Sequence, residues 1–234
     1  MALSIAQMEP AVEPAAARSR LTLHVYSTLR QRIIRGRLAP HVHLLELEIS
    51  RDLGVGRTPV REALQLLESE GLVVSKPGGR LRMFVAPLSA SEEQQVAELL
   101  ATLEGLAASK VAALPHDVRR AAVERLRKIH TEFVRLSTMR SPDQERLFQT
   151  HRAFHAEIVA RAGLPLLRTV HEPISARMER YEWLYGKALL PTLRVSVVEH
   201  AAIIRAIRRC QAAKAERAVR VNWINASARL ATVL

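Results

Sequence analysis

The sequence predicts a mainly α-helical protein in two unequal parts. A small N-terminal unit of three helices and a β-hairpin precedes an all-α bundle of about six helices. Three observations carry this. Alanine, leucine and arginine are abundant while aromatic residues make up 4% of the chain, a balance that favours helix over sheet. Strand-forming runs are confined to 72–76 (LVVSK) and 81–86 (LRMFVA), joined by the turn Pro77-Gly78-Gly79-Arg80. From Ser91 onward there are only helical stretches, punctuated by helix breakers.

Each element has its own signal. Residues 1–20 read as a disordered arm ending in Arg18 and Arg20; without a basic segment before an apolar core they do not resemble a signal peptide. Over 21–36, Leu21, Val25, Leu29 and Ile33 share one helical face, and Gly36 closes the helix. Leu38-Ala39-Pro40 turns the chain, and a short helix over 46–53 places Ile49 and Leu53 inward. Gly54 is a left-handed stop, after which Thr58 reads as an N-cap with Pro59 at the first helical position. In the helix that follows, Val60, Ala63, Leu64 and Leu67 form a buried back. Three helices followed by a basic-tipped hairpin make residues 21–88 a winged helix-turn-helix. Residues 89–234 form the second domain, with helices over 91–114, 116–139, 142–162, 165–185, 192–209 and 212–232. Pro115, Ser141-Pro142, Gly163 and Pro191 mark the joints.

The chain of 234 residues carries +12 at pH 7 with a pI of about 11.0, which points to a polyanionic partner. The excess is spread over both domains, so local placement has to carry the argument. Cys210 is the single cysteine, which excludes an intramolecular disulfide or a multi-cysteine zinc site and suits a reducing cytoplasm. No apolar run approaches the roughly 18 residues of a membrane span.

Arg57, Arg61 and Gln65 lie on one stripe opposite the buried back of their helix. A short helix with an apolar back and a basic front suits the DNA major groove, where arginine forks onto guanine edges and glutamine pairs with adenine. Arg57, Thr58, Arg61 and Gln65 are therefore the predicted base-reading and backbone contacts. Arg30, Arg32, Arg35, Arg80 and Arg82 are the predicted phosphate contacts, the last two on the wing.

The stretches GRTPVREAL, LELEISRDLGV and LESEGLVV resemble the N-terminal domain of GntR-family transcription regulators. LEGLAASKVAA at 103–113, RAFHAEIVARAGLPLL at 152–167 and EHAAIIRAI at 199–207 resemble the FadR-type effector domain called FCD. The resemblance spans about residues 21–230. It implies a divalent metal, zinc or nickel, held by an aspartate and a histidine four residues apart and by two further histidines on the last two helices. Those positions are His151, His155, His200 and Asn222 here, so histidine replaces aspartate at 151 and asparagine replaces histidine at 222. The resemblance also implies an effector-holding arginine one turn before Glu104, where this chain has Leu100. A less acidic effector, or a grip by Arg152 or the Asn222 amide, follows. At Gly56 relatives usually carry serine or threonine, so one hydroxyl contact to DNA is expected to be missing.

Periodicity supports the histidines independently. Leu147, His151, Phe154 and Ile158 share one stripe with His155 beside it, and His200 follows Leu193 and Val197 on another. Three inward imidazoles supply nitrogen ligands for zinc or nickel. A metal-free pocket in which they serve as core residues is the alternative. Tyr181, Trp183 and Tyr185 read as core or dimer packing, and His24, His41, His43, His116, His130 and His171 form no constellation.

The expected protein is thus a cytoplasmic, non-enzymatic transcription regulator, a repressor by family habit. It would act as a homodimer on a short inverted-repeat operator and respond to a small-molecule metabolite, with a hinge near 87–91. Two alternatives remain: a metal-dependent, hydrolase-like helical domain, disfavoured because no inward acid stands out near the histidines, and a non-specific nucleic-acid binder driven by charge.

Overall fold

Leucine and isoleucine at helical spacing give α1, Ala15–Ile34, its buried stripe of Val25, Leu29 and Ile33 ending where Gly36 turns left-handed at φ 67°. The computed structural model describes residues 15–76 and 82–234, with side chains from Ser19 onward. α1 begins earlier than its periodicity predicts, and residues 1–14 of the expected arm lie outside the described residues.

α2 (Glu46–Leu53) matches its prediction and is capped by Gly54 at φ 65°. α3 (Arg57–Ser69) starts earlier than predicted, with Gly56 rather than Thr58 as its N-cap. Pro59 is thereby third in the helix, still within the first turn, where its missing N–H leaves no bond unmade. Val60, Ala63, Leu64 and Leu67 are buried as expected, and with the α1 stripe, Leu72 and Val85 they form the core of the N-terminal domain. The hairpin consists of β1 (Val73–Lys76) and β2 (Arg82–Val85), antiparallel with Val73 opposite Val85 and Lys76 opposite Arg82. Its tip, including Arg80, lies outside the described residues. One pairing was not foreseen. The segment 42–44 runs along β2, with Leu44 N–H donating to Met83 and Val85 N–H to Val42.

The second domain is helical throughout its described length: α4 (Ala90–Ala112), α5 (His116–Ser137), α6 (Gln144–Arg161), α7 (Pro165–Leu189), α8 (Leu193–Arg208) and α9 (Ala212–Leu230). Ser89 caps α4 by accepting the Glu92 N–H, and Asp143 caps α6 by accepting that of Arg146. α7 outruns its prediction by a turn and passes through a 3-10 turn, Leu190–Thr192, into α8. Gly186 lets α7 approach α6 closely; a Cβ there would lie 2.4 Å from the Phe148 ring. α4 and α9 pack along their lengths, and the core fills with Leu100, Val111, Leu126, Phe154, Ile203 and Val219.

The expected hinge is pinned. Arg180, buried on α7, donates to the Ala86 carbonyl at 2.8 Å, and the Tyr181 hydroxyl bonds to the Ser89 backbone and to Glu92. Among the described residues, no helix is long and apolar enough to cross a membrane.

Candidate nucleic-acid interface and metal centre

α3 buries one face and exposes the other. Arg57, Thr58, Arg61 and Gln65 all stand in solvent on the face away from Val60 and Leu64. Arg61 is held in place by Glu46 of α2 through two parallel bonds of 2.8 Å, a fork that fixes the guanidinium plane. Arg57 has no carboxylate partner among the described residues. Arg82 is exposed at the start of β2.

The arginines of α1 and of the turn after it meet carboxylates within the protein. Arg30 reaches Glu70 at 3.3 Å, and Arg32 reaches Asp52 at 2.5 Å. Arg35 pairs with Glu145 of α6 and sits over the Trp183 ring at 5.7 Å. Their charges are engaged within the protein, and Arg35 joins the two domains. Helical spacing put these residues on a polar face; only the folded chain brings Glu70 just past α3, Asp52 of α2 and Glu145 of α6 against it.

In the second domain, α6 and α8 bring His151, His155 and His200 together, all buried, with one ring nitrogen from each within 4.8 Å of the others. The His200 ring stacks on Phe154 at 3.9 Å and faces His151 at 5.2 Å. Burial, reinforced by the neighbouring imidazoles, holds the His200 pKa well below its usual value, so the ring stays neutral and keeps a lone pair for a ligand bond.

Behind the cluster lies Glu104 of α4, 1% exposed and bonded three ways. Its Oε2 accepts from His155 Nδ1 at 2.6 Å and from Trp223 Nε1 at 2.7 Å, and its Oε1 accepts from His171 Nε2 at 2.7 Å. Burial alone would push the Glu104 carboxyl up, but the charge and hydrogen bonds of His155, then of His171, draw it down to about 2. In the neutral form a metal would require, with Nδ1 donating to this carboxylate, His155 would turn a lone pair outward on Nε2, which has no hydrogen-bond partner. His151 Nδ1 lies 3.1 Å from Glu182 Oε1, close enough for charge attraction, yet it is not aligned for a hydrogen bond. Both nitrogens of His200 are also unpartnered.

Buried imidazole nitrogens left without partners fit a divalent ion. Zinc–nitrogen bonds of about 2.0–2.1 Å need ligand nitrogens roughly 3.4 Å apart, so the cluster is open by little more than 1 Å. The other predicted pocket residues lie elsewhere. Asn222 is buried but donates its amide to Glu199 at 2.8 Å, and Arg152 pairs with Glu179. Leu100 is 0% exposed in the apolar core. None of the three lines the slot beside the histidines.

Residues 21–83 match the model of the bacterial regulatory proteins of the gntR family, and residues 95–223, more than half of the chain, match that of the FCD domain. The chain belongs to the GntR family, with an FCD domain. Curated relatives of this GntR/FCD regulator include the HTH-type transcriptional regulator in the TAR-I ttuE-ttuC' intergenic region of Agrobacterium vitis. It is 34% identical over 44% of this chain and 58% of its own. Another, in the unstable DNA locus of Streptomyces ambofaciens, is 34% identical over 59% of this chain and 55% of its own. The match thus spans about half the length of these relatives. Among solved structures, a GntR regulator from Rhodococcus sp. RHA1 superposes with a TM-score of 0.72 at 18% identity, over 92% of this chain and 99% of its own. McbR/YncC of E. coli gives 0.69 at 21% identity, over 91% and 98%. These two share the fold.

In this GntR regulator α7 touches both the histidine cluster and the end of α3. His171, Met178 and Glu182 look toward the histidine cluster and its slot. Arg177 reaches the other way, donating from Nε to the carbonyl of Glu70, at the end of α3, at 2.8 Å. The sequence reading missed Glu104 and Glu182 as histidine partners, and His171 and Trp223 as further partners of Glu104. Each lies on a different helix from the group it meets, and a helical stripe reports only that a residue faces inward.

Proposed function

We propose that this GntR/FCD transcription regulator is a ligand-responsive homodimer that reads a short inverted-repeat operator and acts as a repressor. Each protomer would offer one α3 to the major groove, with Arg57 and Arg61 the principal contacts and Thr58 and Gln65 secondary. The observation that carries this is the solvent-exposed row of these four residues on a helix whose back is fully buried. Arg82, and Arg80 at the wing tip, are phosphate candidates. Arg30, Arg32 and Arg35, which like Arg61 are paired with carboxylates, remain phosphate candidates that would exchange those partners for the backbone.

His151, His155 and His200 would hold a divalent zinc or nickel ion, with Glu104 fixing the His155 tautomer. Such an ion would supply open coordination positions to an effector oxygen. Asn222, Arg152 and Leu100 stay outside this reading as direct contacts. An effector in the slot acts only through its differential affinity for two arrangements of the winged domains. α7 is suited to convey that difference, since Glu182 borders the slot and Arg177 holds the end of α3.

The test is operator selection with the purified protein, repeated after chelation. A discrete palindromic site whose affinity changes with the metal state is the expected result. Equal binding to all duplexes, with steep salt dependence, would identify a non-specific binder instead. The hydrolase-like alternative finds no support in a family of regulators.

A further inference from the structure

Between α5 and α8, which pack side by side, a basin of about 280 Å³ opens on the outside of the bundle. It is lined by Arg127 and His130 from α5 and by Ala201, Ile204, Arg205 and Arg208 from α8. We propose that this basin binds the phosphoryl group of a small anion, with Arg127, Arg205 and Arg208 as its cationic walls and His130 as a further donor. It shares no lining residue with the slot beside His151.

Helical spacing builds the basin. Arg127 and His130 share a face of α5, as Ala201, Arg205 and Arg208 do on α8. Ala201 leaves room, and Ile204, a buried side chain, gives an apolar floor. Among the described residues no carboxylate lines the basin, and none of its three arginines has a carboxylate partner. The chain treats a neighbouring pair differently. Near the other end of α5, Arg135 and Arg146 converge on Glu132, each at 2.7 Å. The dipole of α8 favours cations in its last turn, which accounts for Arg205 and Arg208. It does not account for Arg127, which a second helix sets opposite them. Guanidiniums gathered over an apolar floor repel one another unless an anion stands between them. A carboxylate is filled by one guanidinium fork. A phosphoryl group carries close to two negative charges and three acceptor oxygens, enough for forks from more than one side. His130 makes no hydrogen bond to the chain, and its Nδ1 is shut away from solvent. Its ring centre lies 6.1 Å from that of His200, so the basin and the histidine cluster share a wall.

The experiment uses the full chain without DNA and three probes: inorganic phosphate, glycerol 3-phosphate and malonate. Calorimetry at low, fixed salt should show both phosphates binding once per protomer, with malonate weaker by about tenfold or more. The tighter of the two phosphates identifies the source, a phosphorylated metabolite or free phosphate. Arg127→Ala and Arg205→Ala should each weaken phosphate binding by about tenfold or more. Arg125→Ala, at an exposed arginine of α5 outside the basin, should leave it unchanged. Arg127 and Arg205 are exposed as well, and circular dichroism checks that each variant is folded. The proposal is overturned if neither phosphate binds, if malonate binds as tightly, or if Arg125→Ala costs as much as the basin variants. Phosphate binding that persists in both basin variants, as it would on a metal ion at the histidines, overturns it too. Duplex affinity is measured in the same variants without phosphate. A drop matching that of Arg57→Ala would assign the basin to DNA instead.

Discussion

Glu104 is the residue whose replacement tests the site most sharply. Its folded carboxyl is held at about 2 against an ordinary 4.5, a difference worth about 3 kcal/mol. Because the folded value is the lower one, this stability is present in full above about pH 4.5 and is lost as the pH falls toward 2. Glu104→Gln keeps the shape and one acceptor oxygen, which can still serve His155 and Trp223. It turns an amide toward His171, whose Nε2 must then accept. The variant should therefore lose about 3 kcal/mol near neutral pH, roughly 6–12 °C in Tm for a chain of this size. Glu104→Leu leaves three buried donors without an acceptor and should lose more, about 3–5 kcal/mol. Urea denaturation followed by circular dichroism, at pH steps from 7 down to 3, measures both. The gap between wild type and Glu104→Gln should narrow below pH 4.5. A Glu104→Gln protein as stable as wild type at pH 7, or a gap that stays constant with pH, would refute the account of Glu104 as a charged anchor for the histidines.

Other outcomes follow from single contacts. Arg57→Ala and Arg61→Ala should each weaken operator binding by about 1–3 kcal/mol, measured by fluorescence anisotropy at fixed salt. Loss of specificity at one base pair would mark a base contact, and a shallower salt slope a phosphate contact. Replacing His151, His155 and His200 together by alanine should abolish metal retention in protein purified without added ions, by elemental analysis; unchanged content would place the metal elsewhere. Gly71 is left-handed at φ 71°, and a Cβ there would come within 1.7 Å of the Arg177 guanidinium. Gly71→Ala should therefore lose about 2–4 kcal/mol, from backbone strain and the displaced Arg177 bond to Glu70. The same variant should blunt the effector response in a gel shift.

Much of the molecule is legible in its residues, and the misses have physical causes. α2 and its Gly54 cap were readable because an αL stop is a local property of one residue. The buried back of α3 was readable from Val60, Ala63, Leu64 and Leu67, and the inward histidines from their place among Leu147, Phe154 and Ile158. The start of α3 was misplaced because Gly56 and Thr58 are both acceptable caps, and no side-chain cap bond fixes the choice. The carboxylate partners of Arg30, Arg32 and Arg35 were not legible because Glu70, Asp52 and Glu145 are remote in sequence.

The sequence by itself determined the periodicities, the breakers and the exposed basic face of α3, since each depends on residues within a turn or two of one another. The tertiary structure alone decided which carboxylate meets which imidazole, which arginines keep their charge free, and that α7 links the slot to the end of α3. Those are contacts between helices far apart in the chain, and a helix specifies which of its faces is buried without specifying against what.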